Sequence, residues 1–313
     1  MSVYTRVNQR QVEEFLSIYS LGTLIHYTGI QAGIENTNYL LATTQGEFIL
    51  TLYESLTVKE IPRFLLLLDH LCHNNYPAPQ PQTCRAGHKL RSLNGRPAAL
   101  FKCLPGQSIN IPSIVQCTEL GEYLAKLHLY SSAFNFNKQN PKDLAGCQSV
   151  YYKIKSQLAK NDIALLNSEL NFQATYALPE LPRGIIHADL FKDNVLFEQG
   201  RISGIVDFYD ACTDSFLFDI AVTCNDWCVE NETLNQQKLN AFLSGYQKCR
   251  TLHDDEIMHL PVFLRLAALR FWLSRLEHQL KPKAGELTLL KDPLVFRRLL
   301  EYHRANTLIV DIQ

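Results

Sequence analysis

Short runs of apolar and aromatic residues broken by polar ones fill three early stretches, "TLIHYTG", "TNYLLAT" and "EFILTLYE", and predict strands. A turn-like "GIQAGIEN" separates the first two, and the tight "TTQGE" separates the second from the third, so an antiparallel meander is expected. Over residues 60–74 the spacing becomes helical, with Pro62 tolerable only in the first turn. "YPAPQPQ" breaks that helix, and "RPAALFKCL" reads as another strand ending at "LPG".

Past Gly106 the pattern changes. Leu120, Leu124 and Leu127 recur at helical spacing, and a further helix is expected over 147–160. Then "IIHADLFKDNVLF" sets a polar cluster between two apolar runs, followed by two short strands about the turn "EQGR". The remainder reads as helix: "LNAFLSGYQKC", then "VFLRLAALRFWLSRLEHQL" with a broad apolar face. The expectation is an α+β chain of two lobes, a small antiparallel-sheet lobe over 1–104 and a larger, mainly helical one over 105–313.

Composition narrows the class. The 313 residues suffice for two lobes with a sizeable core, and the net charge of −1 with scattered basic residues predicts neither a nucleic-acid nor a membrane partner. The N-terminus has neither a secretion-signal core nor the text of a transit peptide, and no apolar run looks long enough to span a bilayer. Nine cysteines without paired short spacings read as reduced, buried thiols in a cytoplasmic protein; Cys224 and Cys228 lack the second pair a zinc site needs.

The chemistry gathers in "IIHADLFKDNVLF" and the "DFYDA" that follows. His187, Asp189, Asn194 and Asp207 each stand at the edge of an apolar segment, where a packed strand end holds a polar group rigidly. Asp189 and Asn194 are close enough in sequence for a short loop to turn both toward one point. An Asp and an Asn offering hard oxygens suit Mg²⁺ shared with phosphate oxygens, and a separate Asp can take a proton from a hydroxyl. A solvated loop and a hydrolytic metal site are the competing readings; no further His or Glu cluster supports the latter.

"HADLFKDN" followed by "VDF" resembles the catalytic loop and metal-binding Asp of the protein-kinase-like fold, and "LFDIA" resembles its aminoglycoside- and choline-phosphotransferase branch. Within that branch the chain is similar to the bacterial homoserine kinase family, through "ENTNYLL", "FILTLYE", "IIHADLFKDNVLF", "IVDFYDAC", "CNDWC", "RFWLSRL" and "KDPLVF". The resemblance implies ATP and Mg²⁺, with Asp189 as catalytic base and Asn194 and Asp207 on the metal. It makes His187 a brace of the loop and Asp219 an acceptor of the loop's backbone donors. It also puts Gly29 and Gly33, with Asn38, in a phosphate-covering turn, and Lys102 in the segment "LFKCLPG" that meets adenine.

One departure stands out. Protein kinases carry a phosphate-pairing Lys on the third strand, whereas "FILTLYE" has Thr51 near that position. Lys192 or Lys59 is then the candidate replacement cation. For the acceptor, the resemblance implies L-homoserine, phosphorylated on its side-chain hydroxyl for threonine biosynthesis. "NDWC" is expected to open a helix, with Asn225 or Asp226 binding the amino group, while Arg270 or Arg265 takes the carboxylate. Arg265, Arg270 and Arg275 lie five apart, so one helix spreads them around its surface. Choline, an aminoglycoside or a methylthio sugar remain alternative acceptors, and a catalytically inactive nucleotide-binding module remains a different class of function.

Overall fold

The computed structural model describes residues 5–30, 36–132, 134–280 and 291–308. Two compact units divide it, the first running to Pro105 and the second beginning at Gly106, with Gly204–Val206 grouped with the first.

In the first unit the three stretches become β1 (Leu24–Ile30), β2 (Thr37–Thr43) and β3 (Gly46–Leu52), joined antiparallel by β5 (Arg96–Lys102) and edged by β4 (Arg91–Leu93). Every second residue of β2 is buried: Thr37, Tyr39, Leu41 and Thr43. Tyr39 and Leu41 join Leu50, Leu52 and Leu100 in a core closed by Val12, Phe15 and Leu16 of α1 (Gln9–Leu16). Side chains of this size contribute about 1.5–3 kcal/mol each when fully buried. The helix α1 was not foreseen. It is short, and a capping box between Asn8 and Gln11 sets its start. α2 (Ile61–His73) opens with Pro62 in its first turn, where the missing N–H has no intrahelical partner to lose.

The second unit is built on helices. α3 (Ile114–Tyr130) starts at a Ser113–Gln116 capping box and packs along α7 (Gln236–Gln247). The two backbones touch where both helices carry glycine. A Cβ on Gly121 would stand 2.0 Å from the Phe242 carbonyl oxygen, and one on Gly245 would stand 1.9 Å from that of Thr118. The expected helix over 147–160 is in fact broken: α4 (Leu144–Ile154) ends in a 3₁₀ turn, and α5 (Lys160–Thr175) begins afresh after it. α8 (Asp254–Leu280) is, against the sequence expectation, long and apolar enough to cross a membrane; 67% of its most apolar stretch is buried within the protein, and it packs against α6 (Phe216–Trp227) and α9 (Leu294–Ala305).

Short strands complete the frame. β6 (Arg183–Ile186) pairs antiparallel with β9 (Cys212–Ser215), from Arg183 opposite Ser215 to Ile186 opposite Cys212. β7 (Val195–Glu198) and β8 (Arg201–Ile205) form the hairpin about "EQGR", as expected. A small ribbon, β10 (Val229–Glu230) with β11 (Thr233–Leu234), follows α6. The β6–β9 register decides the site. It sets the exit of β6, where His187 begins, beside the entry of β9, where the 207–210 turn ends.

Candidate active site

His187–Asn194 leaves β6 as a loop anchored from below. Asp219, fully buried in α6, accepts the backbone N–H of His187 at 2.7 Å and of Ala188 at 2.8 Å. The sequence reading had assigned it this role. Its Oδ2 also meets His128 Nε2 at 3.1 Å, and His128 Nδ1 meets the Tyr246 hydroxyl at 2.8 Å. Burial holds His128 neutral, with its pKa below the ordinary histidine value. Asp219 stays ionised, below the usual carboxylate range: burial opposes this, and the His128 hydrogen bond and the backbone donors outweigh it.

The anchor holds an unusual backbone. Ala188 has φ 65, a left-handed conformation that costs a residue with a Cβ about 1–2 kcal/mol. His187 is buried against Phe208, with ring centres 4.7 Å apart, and its Nδ1 accepts the Asp189 N–H at 3.3 Å. His187 therefore braces the loop from inside.

Asp189 stands above this base, its side chain 27% exposed. Asn194 Nδ2 donates to the Asp189 carbonyl at 2.8 Å and approaches its Oδ2 at 3.3 Å. With its NH₂ end held there, the amide oxygen is what Asn194 has to offer a cation. Arg270 Nη1 lies 3.5 Å from Asp189 Oδ1, and its Nη2 lies 3.2 Å from Asp210 Oδ2. Asp207 is exposed and left-handed (φ 65, ψ 55), turning the chain out of β8. Phe208 against His187, and Asp210 on the arginine that also reaches Asp189, fix this turn beside the loop. Lys142 also pairs with Asp210 Oδ2. Asp210 is shifted down to about 2, because Lys142 and Arg270 outweigh the opposing effect of burial.

The donor set suits magnesium. Among the described residues no cluster of three or more His, Cys, Asp or Glu is placed to cage an ion. An Asn–Asp pair sharing its cation with phosphate oxygens is the arrangement expected of a Mg²⁺–nucleotide site.

Other expected site residues are placed elsewhere. "NDWC" closes α6 instead of opening a helix. Asn225 is buried, donating to the Leu264 carbonyl at 2.8 Å, with His303 Nε2 on its Oδ1 at 2.8 Å. Arg265 forms a two-pronged pair with Glu169 at 3.0 and 2.6 Å and stacks on Phe172. Neither is brought to Asp189: the interior of the helical unit satisfies both. Asp226 faces the loop itself, its Oδ2 accepting the Lys192 N–H at 2.7 Å and its Oδ1 lying 3.8 Å from Lys192 Nζ. That contact draws the Lys192 ammonium toward a carboxylate of its own unit.

In the first unit Gly29 pairs with Tyr39 in the sheet, while Gly33 lies outside the described residues. Thr51 is buried in β3 and donates to Asn38 Oδ1 at 2.7 Å, so both side chains of that pair are engaged with each other. Lys59 is exposed. Lys102 lines a recess of about 270 Å³ with Tyr76, Gln80 and Cys103.

Residues 26–252 match the model of the phosphotransferase enzyme family. The chain belongs to that family. This phosphotransferase is 42% identical over 306 residues to a homoserine kinase of Methylobacillus flagellatus (strain ATCC 51484 / DSM 6875 / VKM B-1610 / KT), covering 97% of this chain and 96% of the relative. It is 41% identical to a homoserine kinase of Bradyrhizobium sp. (strain ORS 278), covering 98% and 97%. Among solved structures it is similar to the amicoumacin kinase hAmiN in complex with AMP-PNP, Ca²⁺ and Ami, with a TM-score of 0.73, 15% identity, and coverage of 98% and 96%. The fold of this phosphotransferase is accordingly α+β and protein-kinase-like, as the sequence implied.

Proposed function

We propose that this chain transfers the γ-phosphoryl group of ATP to the side-chain hydroxyl of L-homoserine, giving O-phospho-L-homoserine for threonine biosynthesis in the cytoplasm. The observation that carries the reading is Asp189. It is a half-open carboxylate at a strand exit, held by Asn194 on one side and Arg270 on the other. The full-length identity to homoserine kinases supports the choice of acceptor.

Asp189 takes the hydroxyl proton as the oxygen bonds the γ-phosphorus and the bond from that phosphorus to the β–γ bridging oxygen breaks, releasing ADP. Asn194 and Asp207 would hold Mg²⁺, which when bound offsets the charge of the phosphate oxygens. Arg270 steadies Asp189 and, at the same contact, presents a guanidinium to an anionic acceptor.

The test is an ADP-release assay with L-homoserine, choline, an aminoglycoside and a methylthio sugar, with the phosphorylated product weighed by mass spectrometry. Release with homoserine well above every other acceptor is expected. Equal or greater release with choline or the aminoglycoside would overturn the acceptor. No release with any of them would favour the module without turnover, to which the absence of an ammonium at Thr51 lends support.

A further inference from the structure

Lys142 belongs to none of the motifs above, yet the fold delivers it to Asp210, the carboxylate that shares Arg270 with Asp189. The stretch from Phe136 to Asp143 is laid along the turn and strand that follow Asp207. Thr213 donates its N–H to the Lys138 carbonyl at 2.7 Å and its hydroxyl to that of Phe136 at 2.6 Å. Asn140 donates to Asp214 at 2.8 Å and accepts the Lys142 N–H at 2.8 Å; Asp143 then caps α4. The backbone of Lys142 is thus fixed on both sides, and its ammonium reaches the oxygen of Asp210 that Arg270 also reaches.

That arrangement gathers two cations on one carboxylate oxygen. Arg270 meets both Asp189 and Asp210, Lys142 meets Asp210, and the Lys138 ammonium lies on the carbonyl of Tyr209, next in chain to Asp210, at 3.0 Å. Arg270 is only 4% exposed, stacked on Phe271, and its buried Nε has no hydrogen-bond partner among the described residues. A buried guanidinium donor without an acceptor is costly to leave unmet. Lys142, 37% exposed, leaves the group open to a ligand from outside.

We infer that Lys142 is a specificity-determining residue, which together with Arg270 receives the carboxylate of an α-amino acid acceptor beside Asp210. The inference rests on the homoserine reading and sharpens it: the site selects an acceptor bearing a carboxylate over the same amino alcohol without one. Asp210 serves as the internal anion that keeps both cations aimed at one point until the acceptor adds its own.

The test compares L-homoserine with 3-aminopropan-1-ol, which is homoserine lacking its carboxylate, in the wild type, Lys142→Met and Lys142→Arg. The ratio of the two kcat/KM values should fall by about tenfold or more in Lys142→Met, mostly through the homoserine KM, as expected for one lost charged contact. Lys142→Arg should recover most of the ratio, because it restores a cation of similar reach. An unchanged ratio in Lys142→Met, or a loss shared equally by both acceptors, overturns the inference even if the variant is fully folded. A wild type that makes no phosphohomoserine fails earlier and sinks the homoserine reading itself.

Discussion

Asp219 accepts the Ala188 N–H at 2.8 Å, and Ala188 is the residue of the His187–Asn194 loop whose backbone is left-handed. The carboxylate therefore holds in place a conformation the chain would otherwise avoid. It does so with both oxygens, since Oδ2 serves His187 and His128. Replacing Asp219 with Ala leaves two backbone donors and an imidazole unmatched in a fully buried site. The expected loss is about 3–5 kcal/mol of unfolding free energy, read from denaturant titration. A loss below about 1 kcal/mol would mean that the loop holds its shape without this anchor.

Asp189→Asn keeps the size of the side chain and removes its ability to take a proton. Turnover should fall by roughly a hundredfold or more while ATP affinity and the thermal midpoint change little. Stopped-assay kcat and nucleotide binding by calorimetry measure the two halves separately. Near-normal kcat would remove Asp189 from the proton transfer.

Asp226 gives a contrast between positioning and binding. It accepts the Lys192 N–H, so Asp226→Ala should loosen the loop that carries Asp189 and Asn194. A fall in kcat of about tenfold with the homoserine KM nearly unchanged is expected for a group acting through the loop. A large rise in KM at constant kcat would return Asp226 to the ammonium of the acceptor.

His303 supplies a pH signature. Burial, followed by the charge of Arg265, shifts its pKa from 6.5 down to about 4. Between those values the unfolded chain binds a proton that the folded chain refuses, so acid favours unfolding. His303 stabilises the fold fully above pH ~6.5, and that contribution declines as the pH falls toward 4. The thermal midpoint of the wild type should therefore drop relative to His303→Gln between pH 7 and pH 4. Parallel midpoints over that range would rule out this source of acid sensitivity.

What could be read in the chain follows where burial and period agree. The meander was legible because short apolar stretches carrying Tyr39, Leu41, Leu50 and Leu52 are set apart by turn-forming text; burial alternates in β2, whereas Leu50, Thr51 and Leu52 are all buried in β3. α5 was not legible, since Glu169 and Gln173 share its buried face with Leu166 and Leu170, and the apolar period is lost. Glu169 is tolerable there because Arg265 meets it with two hydrogen bonds, a partner far away in sequence. The polar cluster of the His187–Asn194 loop was legible in the chain, and Asp219 as its anchor was legible only through the family resemblance of "LFDIA". The partners of Asn225 and Asp226 were not legible, because spacing cannot tell a polar side chain facing a ligand from one facing its own protein. Lys142 left no signal, as its partner Asp210 is brought to it only by the β6–β9 register and the segment laid along it.

Thr51 bears on why this sheet carries no ammonium at that point. Its hydroxyl sits inside the sheet, tied to Asn38, between strands that leave it 2% exposed. Reintroducing an ammonium at that point would strand a charge in the sheet interior and orphan the Asn38 oxygen, a penalty of several kcal/mol. A lysine at this position would be accommodated only together with a change at Asn38.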